Sequence, residues 1–219
     1  MKVLVACEFS GIVREAFRAK CHDAWSCDLL PTEIPGQHIQ GDVLAILNDG
    51  WDLMIAHPPC THLAVSGARY FEGKEVEQEL AIDFFMMLAG LDIPRICIEN
   101  PVGIMSTVWR KPDQIIQPYM YGHPESKKTC LWLKNLPALE PTKICTWKRY
   151  RCRCGNVFDE SLGKYGCANC GGHFVARPLW DNQTKSGQNN RTPSKTRWMD
   201  RSRTYPGIAK AMAEQWGTL

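Results

Sequence analysis

The sequence has no apolar run approaching the ~18 residues that a bilayer-crossing helix needs. Its opening patch, inside MKVLVACEFS, holds only about five apolar residues, which is short for an export signal and suits a buried first strand. It shows no internal repeat, which excludes solenoid and propeller architectures. The full zinc-deaminase signature, His-x-Glu together with Pro-Cys-x-x-Cys, is also missing. Net charge is scarce, at +3. The expectation is a cytoplasmic, monomeric, globular chain with no membrane partner. Its 219 residues are enough for one sizeable core and a small appendage.

What the chain has in excess is cysteine, eleven in all. Cys7, Cys21, Cys27, Cys97 and Cys130 are scattered through apolar or mixed segments and read as small buried hydrophobes. Cys152, Cys154, Cys167 and Cys170 cluster instead, as Cys-Arg-Cys-Gly and Cys-Ala-Asn-Cys-Gly-Gly. Without an export signal, such a cluster indicates metal rather than disulfides. Two close pairs, each followed by glycine, form tight turns that aim four sulfurs at one tetrahedral zinc. Cys145 and His173 are spare ligands.

The small net charge conceals a strong asymmetry. Residues 143–203 hold 13 Lys/Arg and 4 Asp/Glu, a net +9; the remainder holds 13 and 19, a net −6. A basic segment on an acidic body points to a polyanionic partner. Arginine outnumbers lysine in that segment, which suits phosphate and base contacts. Arg191, Arg197 and Arg201 are the candidates for them.

Along the chain, strands are expected at 2–7, 24–27, 52–56, 95–98 and 129–133. Helices are expected at 12–20, 76–90 and 206–216. The apolar positions of the second helix are Leu80, Phe84, Met87 and Leu88; those of the last are Ile208, Ala209, Met212 and Trp216. Strands alternating with helices imply an α/β fold with a parallel sheet covered on both faces. Ligands then bind beyond the carboxyl ends of the strands, so Glu8, Asp28, Cys60 and Glu99 should converge on one edge. Residues 143–203 lack apolar periodicity and read as an insert. The domain expectation is a catalytic core over 1–142, a zinc-ribbon and basic insert over 143–203, and a helix over 204–219 that packs back on the core.

Pro58-Pro59-Cys60 and Glu99-Asn100-Pro101 each follow an apolar strand, 39 residues apart. One strand–helix–strand unit fills that interval and would set a thiol and a carboxyl side by side. Paired prolines stiffen the turn that presents the thiol. Attack on a pyrimidine ring requires this combination. A thiolate adding at carbon 6 makes carbon 5 nucleophilic, while an acid at nitrogen 3 draws electrons through the ring.

In these residues the chain resembles the DNA (cytosine-5)-methyltransferases, in a compact form such as phages and prophages carry. Phe9-Ser10-Gly11 resembles the family's first motif, FxGxG, and Asp28 stands where an acidic residue meets the donor's ribose. Gly41-Asp42-Val43 resembles the segment whose aspartate meets the adenine. His57-Pro58-Pro59-Cys60 with Ser66-Gly67 resembles the nucleophile loop, and Ile98-Glu99-Asn100-Pro101 the ENV motif. Tyr121–Lys128 resembles GxPQxRxR. The resemblance covers roughly residues 1–140. It implies a Rossmann-like methyltransferase core that uses S-adenosylmethionine, with Cys60 and Glu99 catalytic. Phe9, Ser10, Gly11, Asp28, Asp42 and Pro58 would bind the donor, and Asn100 and Lys127 the base or DNA. The departures are Val13 for the second glycine, Glu125 for the glutamine, Lys127 and Thr129 for the two arginines, and Arg203-Thr204-Tyr205-Pro206-Gly207 where an Asn-Ser pair is usual. Two other readings share the residues. One is a non-catalytic zinc-ribbon DNA-binding protein on a methyltransferase shell. The other is a cytosine-modifying enzyme acting on RNA or free nucleotide.

Overall fold

The computed structural model describes residues 1–66, 72–146, 149–159, 167, 169–171, 177–184 and 195–219. Short, nearly all-apolar segments form the centre of the sheet: β1 (Lys2–Ala6), β4 (Leu53–Ala56) and β5 (Arg95–Pro101). β2 (Asp23–Asp28) and β3 (His38–Gln40) extend it on one side. β7 (Thr129–Lys134) and β6 (Gln114–Ile116) extend it on the other. The order is β3-β2-β1-β4-β5-β7-β6. Pairing is parallel from β3 to β5, and β7 runs antiparallel to both of its neighbours. The fold is α/β with a mixed, mostly parallel sheet compatible with a Rossmann-like arrangement. Its first five positions follow the doubly wound order 3-2-1-4-5.

Continuous burial along β1 and β4 means that both faces are covered. On one face Leu4, Ala6, Met54, Ala56, Ile96, Ile98 and Trp132 share a core with Phe85 and Leu88 of α2 (Glu75–Ala89). The alternate residues, among them Val3, Val5, Leu53 and Ile55, are equally buried. Strand alternation turns them to the opposite face, where α1 (Ile12–Arg18) lies against β1 and β2 and α5 (Pro206–Trp216) packs on α1. Trp216 and Trp132 are core residues, as expected. The expected apolar face of the second helix is only half realised. Phe85 and Leu88 are buried, but Leu80 and Val76 are exposed, because the amino-terminal half of α2 runs beyond the core. Cys27, Cys97 and Cys130 are buried and Cys7 packs half-buried against the core; Cys21 is exposed in the left-handed turn after α1, so for Cys21 the reading as a buried hydrophobe is corrected.

The structure divides into two compact units. The first comprises 1–116, 128–140 and 203–219, and the second 117–127 with 141–202. The second unit thus begins close to the expected insert boundary and also takes in 117–127. It contains the antiparallel sheet of β8 (Arg149–Arg151), β9 (Val157–Asp159) and β10 (Arg177–Leu179), ordered β10-β8-β9. The 117–127 segment belongs there by direct contact. Tyr119 stacks on Trp180 with centroids 4.5 Å apart, and the Asn182 side-chain amide both accepts from Ser126 N and donates to its carbonyl. No helix among the described residues is long and apolar enough to cross a membrane.

Candidate active site and metal centre

The strand order reverses between β1 and β4, which is where a doubly wound sheet opens a crevice at its carboxyl edge. Residues Cys7–Gly11 leave β1 on one side of that point, and His57–Cys60 leave β4 on the other. The turn after β4 is fixed at several places. His57 N donates to Ala6 O at 2.9 Å. The two prolines restrict the backbone, and the buried Pro58 carbonyl accepts from Asn100 Nδ2 at 2.9 Å. The Cys60 carbonyl takes the N–H groups of Leu63 and Ala64, closing a single turn that leaves Cys60 partly exposed.

The loop after β5 is stitched to this turn. Ala64 and Gly103 form an antiparallel bridge, Val65 N donates to Val102 O at 3.0 Å, and Ile104 N donates to Leu63 O at 2.9 Å. Glycine is required at 103, since a Cβ there would lie 2.1 Å from Leu63 O. The register Ala56↔Ile98 sets the two loops side by side. Glu99 is buried, and its Oε2 lies 3.0 Å from His57 Nδ1 and 3.5 Å from Thr204 Oγ1. Asn100 is 2% exposed, and its Oδ1 has no hydrogen-bond partner among the described residues.

The expected donor residues divide into two kinds. Asp28 ends β2, and its Oδ1 accepts from Leu30 N; Asp42 begins the next turn by accepting from Leu44 N. Asp28 O also accepts from Gly41 N, which holds the two segments together. Both carboxylates act on the same thiol: burial pushes Cys7 up to about 12, with Asp28, Cys27 and Asp42 adding to it. The two acids therefore gather beside the end of β1. Phe9, Ser10 and Gly11 play a more structural part. Glu8 is buried, and its carboxylate caps α1, accepting from Val13 N at 2.8 Å, Arg14 N at 3.3 Å and Ser10 Oγ at 3.0 Å. Glu8 thereby occupies the anion position that a helix N-terminus offers. Gly11 adopts φ 75° to make that turn.

Over Phe9 lies the Arg203 guanidinium, 6.0 Å from the ring centroid and bidentate to Glu33 at 2.7 and 2.5 Å. Arg14 is fully buried and donates to Ser26 Oγ, Thr32 Oγ1 and the Ile34 carbonyl, so it holds the loop after β2 in place. Sequence reasoning placed His57 only within the nucleophile loop and Arg203 and Thr204 only in the segment that replaces an Asn-Ser pair, with no role for their side chains, and it assigned nothing to Arg14. The proximity of His57 to Pro58-Pro59-Cys60 was a signal; nothing local foretells that residue 204 meets residue 99.

In the second unit the four expected sulfurs converge. All lie within 4.8 Å of one another, and the pairs Cys152–Cys170 and Cys154–Cys167 stand 3.6 Å apart. A zinc with Zn–S bonds of ~2.3 Å requires tetrahedral S–S edges of ~3.7 Å, so the geometry fits zinc and is far from a ~2.05 Å disulfide. The first pair turns at Gly155 (φ 92°) between β8 and β9, the second at Gly171 (φ 63°). Burial opposes ionisation of Cys167, but the N–H groups of Asn169 and Cys170, with Cys154 and Asn156, outweigh it and bring the thiol down to about 6. The Cys154 thiol is lowered too, by Asn156 N–H first and the Asn169 side chain next. Thiolates are the metal-binding form. Cys145 lies outside this group, with its N–H on Tyr119 O.

Lys127 is half-buried in the second unit, with its N–H on Gln117 Oε1 at 2.9 Å. Arg197 and Arg201 stand one turn apart on α4 (Arg197–Ser202); Arg201 is exposed and Arg197 half-buried. Arg191, His173 and Gly67 lie outside the described residues.

No protein-family model and no curated protein matches the chain. The reading of its chemistry therefore rests on its own residues and their geometry.

Proposed function

We propose that the chain is a DNA (cytosine-5)-methyltransferase. The observation that carries this reading is the pairing of the Cys60 turn with Glu99-Asn100 at adjacent ends of parallel strands, bonded through Asn100 to Pro58. Cytosine must leave the duplex to reach such a site, at a cost of a few kcal/mol. Cys60 Sγ adds to carbon 6, and the ring electrons move toward nitrogen 3, which takes a proton from Glu99. Asn100 Oδ1, buried and lacking a described partner, suits the exocyclic amino group of cytosine, a donor. The donor, S-adenosylmethionine, would supply the methyl group of its sulfonium to carbon 5 and be left as S-adenosylhomocysteine. Asp28 and Asp42, gathered beside β1, would hold its hydroxyl and amino groups, with Phe9, Ser10, Gly11 and Pro58 as the adjoining wall. A water molecule takes the proton from carbon 5, the electron pair left behind re-forms the C5–C6 double bond as the S–C6 bond breaks and Cys60 departs as thiolate, and nitrogen 3 returns its proton to Glu99.

Zinc held by Cys152, Cys154, Cys167 and Cys170 has a structural role, ordering a module of three-residue strands with little core of its own. Its basic surroundings would grip double-stranded DNA, through Lys127, Arg191, Arg197 and Arg201 among others. The test is transfer of tritium from methyl-labelled S-adenosylmethionine to amplified, unmethylated DNA, with RNA and dCTP as parallel acceptors. Label at carbon 5 of cytosine in duplex DNA is the expected result. Label in none of the three would end the methyl-transfer reading, and label in RNA or dCTP alone would replace the substrate.

A further inference from the structure

His57 is a titratable group at the active-site edge that the steps above leave unused. His57 is pinned by its backbone to β1, and its Nδ1 stands 3.0 Å from Glu99 Oε2, with the two side chains only 11% and 10% exposed. Thr204 Oγ1 approaches the same carboxylate oxygen. Glu99 is thus held by groups from the turn after β4 and from the segment before α5.

An ordinary glutamic acid, with a pKa of about 4.3, is almost wholly ionised at neutral pH, whereas the acid that attack on cytosine needs is the protonated one. An imidazole against a carboxylate favours its own protonated form. We propose, on the basis of the methyl-transfer reading above, that His57 is a positioning residue that forms a proton-sharing dyad with Glu99 and keeps that proton in the site. The dyad is net neutral whether the proton sits on Glu99 or on His57 Nδ1. As the Cys60 Sγ–C6 bond forms, Glu99 gives one proton to ring nitrogen 3, and any proton on Nδ1 passes to Oε2 in the same movement. The dyad is left as a carboxylate and a neutral imidazole, one negative charge in all, balancing the proton gained by the ring. When the S–C6 bond breaks, nitrogen 3 returns the proton.

The buried thiols beside Glu99 do not compete for its proton. Cys97 on β5 is pushed up by burial first and then by Glu99 and Asp113, and Cys130 on β7 by burial and then Glu99, with Lys128 opposing. Both stay neutral thiols. Cys60 is the nucleophile itself, and Thr204 contributes only a hydroxyl.

The test uses the full chain, tritium transfer to amplified DNA, and the variants His57→Gln and Glu99→Gln. His57→Gln should lower kcat roughly 10–10²-fold at pH 7.5, less than the ~10²–10⁴-fold of losing the acid outright, with the donor KM changed little. The deficit should narrow as pH falls toward 5.5, because solvent then protonates Glu99. Glu99→Gln should gain nothing from acid, and the double variant should be no slower than Glu99→Gln alone. Independently of turnover, the ¹⁵N signals of His57, assigned by their loss in His57→Gln, should titrate at lower pH in Glu99→Gln than in the wild type. An unchanged His57 titration overturns the dyad. So does a His57→Gln variant with the wild-type rate, or one whose deficit is the same at every pH. If His57 responds to Glu99→Gln but the wild type labels neither DNA, RNA nor dCTP, the methyl-transfer reading has failed, and the dyad's catalytic role falls with it while the pairing itself stands.

Discussion

Replacing Gly103 by alanine probes the stitch between the loop after β4 and the loop after β5, which the proposed reaction requires to stand side by side. The new Cβ would lie 2.1 Å from Leu63 O, 2.8 Å from Leu63 C and 3.2 Å from Ala64 Cα. All three are backbone atoms, so no side chain can swing aside. Reaching even 3.0 Å, a distance real Cβ atoms rarely undercut, means parting the loops by 3.0 − 2.1 = 0.9 Å. Overpacking of this kind costs about 1–3 kcal/mol. The separation also lengthens the Val65–Val102 and Ile104–Leu63 hydrogen bonds, worth about 1 kcal/mol each when lost. A total near 3–5 kcal/mol corresponds to a fall in Tm of roughly 6–20 °C for a chain of this size. The functional loss should exceed what stability explains, because a ~1 Å misplacement of the Cys60 turn against Glu99 costs on the order of 10²-fold in rate. Thermal melting followed by tritium transfer well below the variant's Tm separates the two effects. Gly41→Ala, which meets nothing within 4 Å, is the stability control. A Gly103→Ala protein that melts with the wild type and transfers methyl at its rate would refute the claim that this contact sets the site.

Cys60→Ser should abolish the covalent adduct with DNA made with 5-fluorocytosine, since fluorine cannot leave carbon 5 as a proton; normal turnover by that variant would eliminate the thiolate mechanism. Glu99→Gln should slow transfer by ~10²–10⁴-fold with donor binding nearly unchanged, and calorimetry showing lost donor affinity instead would move Glu99 into the donor site. Metal analysis should find one zinc per chain, lost in Cys152→Ser or Cys167→Ser; chelation should abolish site-specific methylation while leaving donor binding measurable, and unchanged methylation of the same sequence would remove the ribbon from target choice. If about five basic residues touch phosphates, log affinity should fall with log salt at a slope near −4 to −5. Alanine at Arg191, Arg197 and Arg201 should flatten that slope by up to roughly three units, and an unaltered slope would place the DNA elsewhere.

The long elements were legible because their periods repeat: β1, β4, β5, β7, α1, α2 and α5 lie within a few residues of their expected places. β3, β6 and α3 (Met105–Val108) were not, since three or four residues carry no period and pairing partners alone define such strands. The cysteine cluster was legible because the four ligands sit in two tight turns close in sequence. The sheet-edge constellation was partly so. Cys60 and Glu99 announce themselves at strand ends, but Glu8, read as part of that edge, is taken up in capping α1. Arg14 is fully buried, and nothing in the helix around it marks it for burial. Its partners Ser26, Thr32 and Ile34 lie 12 to 20 residues on, and only tertiary folding brings them to it.

The second unit is not one stretch of chain, and this governs how it can be exchanged. A swap of 143–203 between proteins, the natural cut from sequence, would leave Tyr119 behind without Trp180, Ser126 without Asn182, and the Met120 carbonyl without Lys143. Transplanting the module requires carrying 117–127 as well, which means four splice points with β7 retained between them. Recombination at a single pair of breakpoints would therefore yield mismatched modules, and new specificities should arise more readily by point changes within the unit than by its wholesale transfer.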